Sequence, residues 1–206
     1  MKIDYLGHAC FKINDSLAID PYKDGSVPGL SPLRATAEKV ICSHEHADHS
    51  GRECVEIMAN EKQAGNQQTN ADDLQIEEIP SWHDDQNGAL RGPNTIFVIT
   101  SKNPDDQPAT DEKLVHLGDL GHFPNEAQLA KISDADYLLI PVGGFFTIDA
   151  KTAVEICKAA NPKTIIPMHY KTAEYGYPEL ATVDEFVKLA NEAGLGEKVK
   201  ILQLKN

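Results

Sequence analysis

At 206 residues, with 41% hydrophobic and 25% charged side chains, the chain has the length and balance of an ordinary globular protein of one domain, residues 1–206. No run approaches the roughly 20 apolar residues that span a bilayer, and the opening Met1-Lys2-Ile3-Asp4 carries no apolar signal core, so a cytoplasmic protein is expected. A formal net charge of −13 repels nucleic acid and anionic membranes at long range, and neither is an expected partner.

In chain order, residues 2–13 and 16–21 alternate like two strands joined at Asn14 and Asp15. Residues 23–33, with Gly25, Pro28, Gly29 and Pro32, read as loop. Residues 39–43 predict a short buried strand, and from Ser50 a helical pattern runs to about Gly65 with Cys54, Ile57 and Met58 on one face. Residues 66–73 are polar and loop-like; residues 74–80 alternate like a strand and lead into Trp82 and His83. Strands at 95–100 and 113–117 flank a loop at 103–110. A helix from near Asn125, a strand at 137–142, a helix capped within 147–149 and ending near Ala160, and a strand at 164–167 follow. An amphipathic helix at 182–193, stopped by Gly194, and a strand at 198–204 close the chain. Strands dominate early and alternate with helices later, which predicts an α/β (α+β) class with helices covering sheet faces.

The four cysteines, Cys10, Cys42, Cys54 and Cys157, form no C-x-x-C pair, which excludes a zinc ribbon or thioredoxin-type motif. They are expected reduced and mostly buried, with Cys42 a core residue rather than a ligand.

Candidate ligands His44, His46, His83, Asp119 and His169 fall at or just beyond predicted strand ends, where open α/β sheets build their sites. In an extended stretch residues two apart point to one side, so His44 and His46 can share one ion. Asp48 and His49 follow as the chain turns, and can aim at a second ion beside the first. Each ion takes about four ligands, one position being left for water at a catalytic site, so distant segments must complete both.

The loop His44-x-His46-x-Asp48-His49, followed in order by His83, Asp119 and His169, resembles the metallo-β-lactamase superfamily. More narrowly, Gly7-His8-Ala9, Ile19-Asp20-Pro21, Gly118-Asp119, the 141–144 Pro-Val-Gly-Gly run and Pro167-Met168-His169-Tyr170 look like the zinc-dependent hydrolases near L-ascorbate-6-phosphate lactonase. The likeness covers about residues 1 to 172. It implies an αββα four-layer sandwich with the site at one edge of two mixed sheets. It also implies two divalent ions, zinc first and manganese or iron as alternatives: His44, His46 and His83 on one, Asp48, His49 and His169 on the other, Asp119 between them and Asp20 beneath the loop. The chemistry implied is hydrolysis of an ester, lactone or phosphodiester of a small molecule by a metal-bridging hydroxide, with Asp48 orienting it or relaying a proton.

His122 is either a general acid or oxyanion donor at the pocket rim or a packed histidine holding its loop. For His8 the structural role weighs slightly more. His116 reads as a hydrogen-bonded core residue, Asp84 and Asp85 as solvated loop carboxylates, and Trp82 as core or pocket wall. Tyr170, Lys171 and the 143–146 run are further candidates for touching substrate. The expected partner is a small molecule, anionic ones included, and a homo-oligomer stays open. A di-iron oxidoreductase on the same scaffold and a non-catalytic metal-binding protein are the rival readings.

Overall fold

The computed structural model describes residues 1–58, 71–101 and 111–205. The far end of the expected helix, residues 66–70 and the 103–110 loop lie outside them. The first sheet runs β1 (Ile3–Gly7), β2 (Cys10–Ile13), β3 (Leu17–Ile19) and β5 (Lys39–Ile41) in that order, the first three antiparallel and β5 parallel to β3. Residues 2–13 break into two strands because Gly7 and His8 take φ of +119° and +57° and turn the chain back. Between β3 and β5, β4 (Ala35–Ala37) forms a parallel ribbon with β6 (Val55–Ile57).

The second sheet joins β7 (Leu74–Trp82), β8 (Pro93–Ser101), β9 (Glu112–His116), β10 (Tyr137–Pro141) and β11 (Thr164–Met168), in the order β11-β10-β9-β8-β7. β7, β8 and β9 are antiparallel neighbours, whereas β9, β10 and β11 are parallel. The parallel steps need crossovers, supplied by α1 (Glu126–Ile132) and α2 (Ala150–Ala160). Asn125 closes a capping box with Gln128, and Asp149 accepts the Thr152 N–H, so both helices start where the sequence offers cap residues. α3 (Val183–Glu192) follows β11.

Period-two alternation divides the core. Phe11, Ile13, Leu17, Ile19 and Ile41 of the first sheet meet Phe97, Ile99, Leu114, Leu139 and Ile166 of the second. The intervening residues Val98, Val115, Leu138, Ile140 and Ile165 face the helices through Ile132, Ile156, Cys157 and Phe186. The mixed sheets and helices form the expected α+β sandwich. Among the described residues all three helices cover the second sheet, and the outer face of the first is covered by Tyr22, Val27, Leu33, Ala37 and Val55 from loop and ribbon. No helix among the described residues is long and apolar enough to cross a membrane.

Two expected elements are overturned. After Ser50 the chain makes a 3₁₀ turn, Arg52–Cys54, and then strand β6, not a helix. Pairing with β4 buries Val55 against the third core cluster, and this outweighs a weak apolar stripe whose Ile57 and Met58 stay 59% and 38% exposed. Residues 198–204 form no strand; they touch the sheets at isolated bridges, Ile165 with Val199 and Tyr5 with Leu204.

Candidate metal centre

β5, β7, β9, β10 and β11 all deliver their C-terminal ends to one edge of the sandwich, and the β1–β2 turn arrives there too. His44–His49 follow β5, His83 follows β7, Asp119 follows β9 and His169 follows β11. Left-handed backbone occurs at this edge: His8, Asp20 and His169 hold φ of +57°, +48° and +54°, and Gly118 takes +56° just before Asp119. Left-handed backbone at three non-glycine residues costs of order 1–3 kcal/mol each and persists where surrounding contacts over-determine it. Here those contacts include the His169 N–H on the His8 carbonyl at 3.0 Å and the Gly143 N–H on the His169 carbonyl at 3.1 Å.

Beneath the loop, fully buried Asp20 accepts Ser43 N and Ser43 Oγ, both at 2.6 Å, and His49 Nδ1 at 3.0 Å. The Ser43 hydroxyl has one proton and gives it to Asp20, so His44 Nδ1, 3.0 Å away, must donate to that oxygen. Both imidazoles are thereby held as Nδ1–H tautomers, and both turn Nε2 lone pairs into the site. The carboxylate expected beneath the loop therefore sets ligand orientation. Burial, then His49, lowers the His44 pKa to about 3, so its lone pair is free at neutral pH.

Asp119 is the hub. Its Oδ2 lies 3.1 Å from His83 Nε2, 3.2 Å from His49 Nε2 and His169 Nε2, and 3.9 Å from His44 Nε2. A carboxylate oxygen accepts about two hydrogen bonds, so four converging imidazole nitrogens exceed what hydrogen bonding satisfies. His44 Nε2, His49 Nε2 and Asp119 Oδ1 are buried with no hydrogen-bond partner, a costly state for polar atoms unless something else meets them. Burial alone would raise the Asp119 carboxyl, but His169 and His49 beside it hold it well below the carboxylate range. Burial likewise opposes the His49 cation, yet Asp119 and Asp20 outweigh it and raise that pKa. Asp119 and Asp20 thus favour positive charge in the pocket, and a divalent cation in place of the His49 Nε2 proton fits that donor set.

Three groups offer ligand atoms within 4.8 Å of one another: His44, His46 and His83; His44, His49 and Asp119; and His8, Asp48, His49 and His169. The seven side chains singled out from sequence meet in one place. His8 joins them: fully buried, it donates Nε2–H to Asp48 Oδ2 at 3.2 Å and packs on the His169 ring at 4.1 Å. Burial lowers its pKa to about 4.

A cavity of about 350 Å³, within the small-ligand range, opens on this centre and is lined by His46, Asp48, His83, Asp119, His169, Arg91, Phe146 and Tyr177. Arg91 and Tyr177 were not singled out from sequence, because no spacing or periodicity marks a loop residue as cavity wall.

His122 is not among the lining residues. Its Nε2 accepts the Trp82 N–H at 3.3 Å and its Nδ1 donates to the Phe123 carbonyl at 2.9 Å, so neither ring nitrogen is left for proton transfer. His116 is a core residue, donating Nε2–H to the Ala9 carbonyl at 3.0 Å and accepting the Gly118 N–H at 3.1 Å. Asp84 corrects the solvated-loop expectation: it is buried and accepts the N–H groups of Gln86, Gly88, Leu90 and Arg91. Asp85 is exposed. Trp82 is 40% exposed rather than core, and Tyr170 is buried under the helices. The cysteines are free, with Cys10 and Cys157 buried.

Comparison with known proteins agrees with this geometry. The Beta-lactamase superfamily domain model matches residues 2–169. The chain is 31% identical over 225 aligned residues to a UPF0173 metal-dependent hydrolase of Carboxydothermus hydrogenoformans, with 97% of this chain and 96% of the relative covered. A Thermotoga maritima protein assigned to the Zn-dependent hydrolases of the metallo-β-lactamase superfamily is 32% identical, with a TM-score of 0.61 over 91% of this chain and 84% of that one. Igni18, a metallo hydrolase of Ignicoccus hospitalis, shares the fold with a TM-score of 0.68 at 23% identity, over 99% of this chain and 95% of its own. With the family model spanning most of the sequence and the ligand-bearing loops gathered at one sandwich edge, the chain belongs to the β-lactamase superfamily and has the metallo-β-lactamase fold.

Proposed function

We propose that this chain is a hydrolase that works with two divalent metal ions, zinc foremost, and cleaves an ester, lactone or phosphodiester bond of a small molecule. The observation that carries the reading is the convergence of four imidazole Nε2 atoms on Asp119 Oδ2, with buried donor atoms on both sides of it lacking any other partner. His44, His46 and His83 would hold one ion, and Asp48, His49 and His169 the other, with Asp119 shared. The names of the similar proteins from Carboxydothermus and Thermotoga point to the same class of chemistry.

When bound, such ions supply Lewis acidity toward an acyl or phosphoryl oxygen and acidify water toward neutral pH. The chain's own part is positional. Asp20 and Ser43 lock His44 and His49 in the tautomers that expose Nε2. His8 holds one oxygen of Asp48 and so fixes the carboxylate beside His49 and His169, where it would complete the second group of ligands. Burial would raise the Asp48 carboxyl, but the His8 hydrogen bond and His49 outweigh it and keep the group ionised for that role. His122 has no part in this scheme.

The test is elemental analysis of the purified chain followed by assays on a neutral ester, a lactone and a phosphodiester. About two ions per chain are expected, with turnover lost after chelation and regained on adding zinc or manganese. His46 is exposed, so His46→Ala should fold normally. It should lose metal and at least ~100-fold in rate, the upper end of losses seen for mere outer partners of ligands. Undiminished turnover in the chelated chain, or no hydrolysis of any of the three bond types by the loaded one, would overturn the reading.

A further inference from the structure

The chain has three arginines, and two of them are spent on surface ion pairs. Arg34 forks onto Asp24 with Nη1–Oδ1 at 3.1 Å and Nη2–Oδ2 at 2.8 Å. Arg52 forks onto Glu45 at 3.0 and 2.7 Å. Arg91 differs. It lines the cavity over the metal centre, and among the described residues no carboxylate pairs with it, although the net charge is −13. One donor, Nη2, goes to the Phe145 carbonyl at 3.0 Å, and the guanidinium lies 5.9 Å over the Phe146 ring. A guanidinium has five N–H donors in a fixed fork, so most of this one remains unspent.

The loop carrying it is held by its own hydrogen bonds. Asp84, one residue after His83, accepts the N–H groups of Gln86, Gly88, Leu90 and Arg91 at 2.8, 2.9, 3.0 and 2.7 Å. Asn87 and Gly88 take the left-handed backbone this winding requires, at φ of +56° and +81°. A Cβ on Gly88 would stand 2.6 Å from the Trp82 ring, so the loop lies flat on β7. The position of Arg91 is thereby tied to that of His83, a member of the metal cluster.

We infer that Arg91 is a specificity residue: it binds an oxyanion, carboxylate or phosphate, carried by the substrate away from the bond that is cut, so the preferred substrates are anionic small molecules. The inference rests on the cavity being the reaction site proposed above. The ions would take the reacting end and Arg91 the other, along the wall that Phe146 and Tyr177 form together with ring centroids 5.6 Å apart. A planar fork suits both oxyanions in two-pronged fashion, which a lysine cannot reproduce.

The test is calorimetric binding to the metal-loaded protein of non-reacting probes: butyrate with one charge, glutarate with two carboxylates, and 3-phosphonopropionate with a distal phosphonate. The wild-type chain should bind at least one doubly charged probe ~10-fold or more tighter than butyrate, as expected for a charge-assisted hydrogen-bonded pair. The better of the two identifies the oxyanion. Arg91→Met should erase the advantage while leaving butyrate affinity and metal content unchanged, and Arg91→Lys should keep part of it. An advantage that is absent in the wild type, that survives in Arg91→Met, or that falls together with butyrate affinity overturns the inference. A loaded protein indifferent to the distal charge removes Arg91 alone, whereas a chain that takes up no metal removes the proposed function and this inference with it.

Discussion

Asp119→Asn is expected to give a folded chain that no longer holds its full complement of divalent ions and hydrolyses ~10²- to 10⁴-fold more slowly. The substitution keeps the side chain's shape, and the backbone N–H of residue 119 still meets Asn94 Oδ1 at 2.9 Å. What goes is one negative charge, fully buried and facing the Nε2 atoms of His44, His49, His83 and His169. Removing one partner of a buried charge pair costs about 3–5 kcal/mol, or two to four powers of ten in binding or rate. An amide nitrogen also places N–H groups where the cations need an electron-pair donor. Elemental analysis and kcat/KM on the best substrate of the panel check this. Full occupancy with a rate within threefold of wild type would remove Asp119 from between the ions.

Gly143→Ala should be nearly as damaging, though Gly143 is in no ligand group. A Cβ there would stand 2.2 Å from the His169 carbonyl oxygen, a backbone atom that cannot swing aside. Ordinary C···O contact needs about 3.3 Å, so the segments after β10 and β11 must part by about 1 Å. His169 already holds strained backbone and takes the Gly143 N–H on that carbonyl. Its ring therefore moves away from Asp119. A displacement of this size costs on the order of 100-fold in turnover, with a stability loss of about 1–3 kcal/mol. The affected side is the one with Asp48, His49 and His169, so the His44–His46–His83 group should keep its affinity in a chelator competition. An unchanged Tm with unchanged turnover would show that this close approach does not position His169.

Much of this site was legible in the sequence, and the rest was not, for physical reasons. The His44–His49 loop announces itself because its ligands are contiguous, and a short stretch of backbone alone decides which side chains share a face. His83, Asp119 and His169 could be read as lying at or just beyond strand ends, and those strands formed within a few residues of where the sequence pattern placed them. What failed was decided by packing between distant segments. β4 and β6 are three residues each, too short for periodicity, and exist because Ala37 and Val55 bury together over the first sheet. The 198–204 segment alternates like a strand but meets its neighbours at single bridges. Asp84 resembles any loop aspartate until the four N–H groups around it are seen, and Arg91 becomes a site residue only through that loop. His122 misled by proximity in sequence: three residues from Asp119, it turns both nitrogens to backbone partners instead of the cavity.

The account stands most directly on where metal atoms sit, and crystals of the zinc-loaded protein, measured on both sides of the zinc absorption edge, give that position. Two anomalous peaks about 3.5–4 Å apart are expected on either side of the Asp119 carboxylate, one beside His44, His46 and His83 and the other beside Asp48, His49 and His169. A loaded crystal with no peak within bonding distance of Asp119, or with zinc bound elsewhere on the chain, would contradict the dinuclear centre.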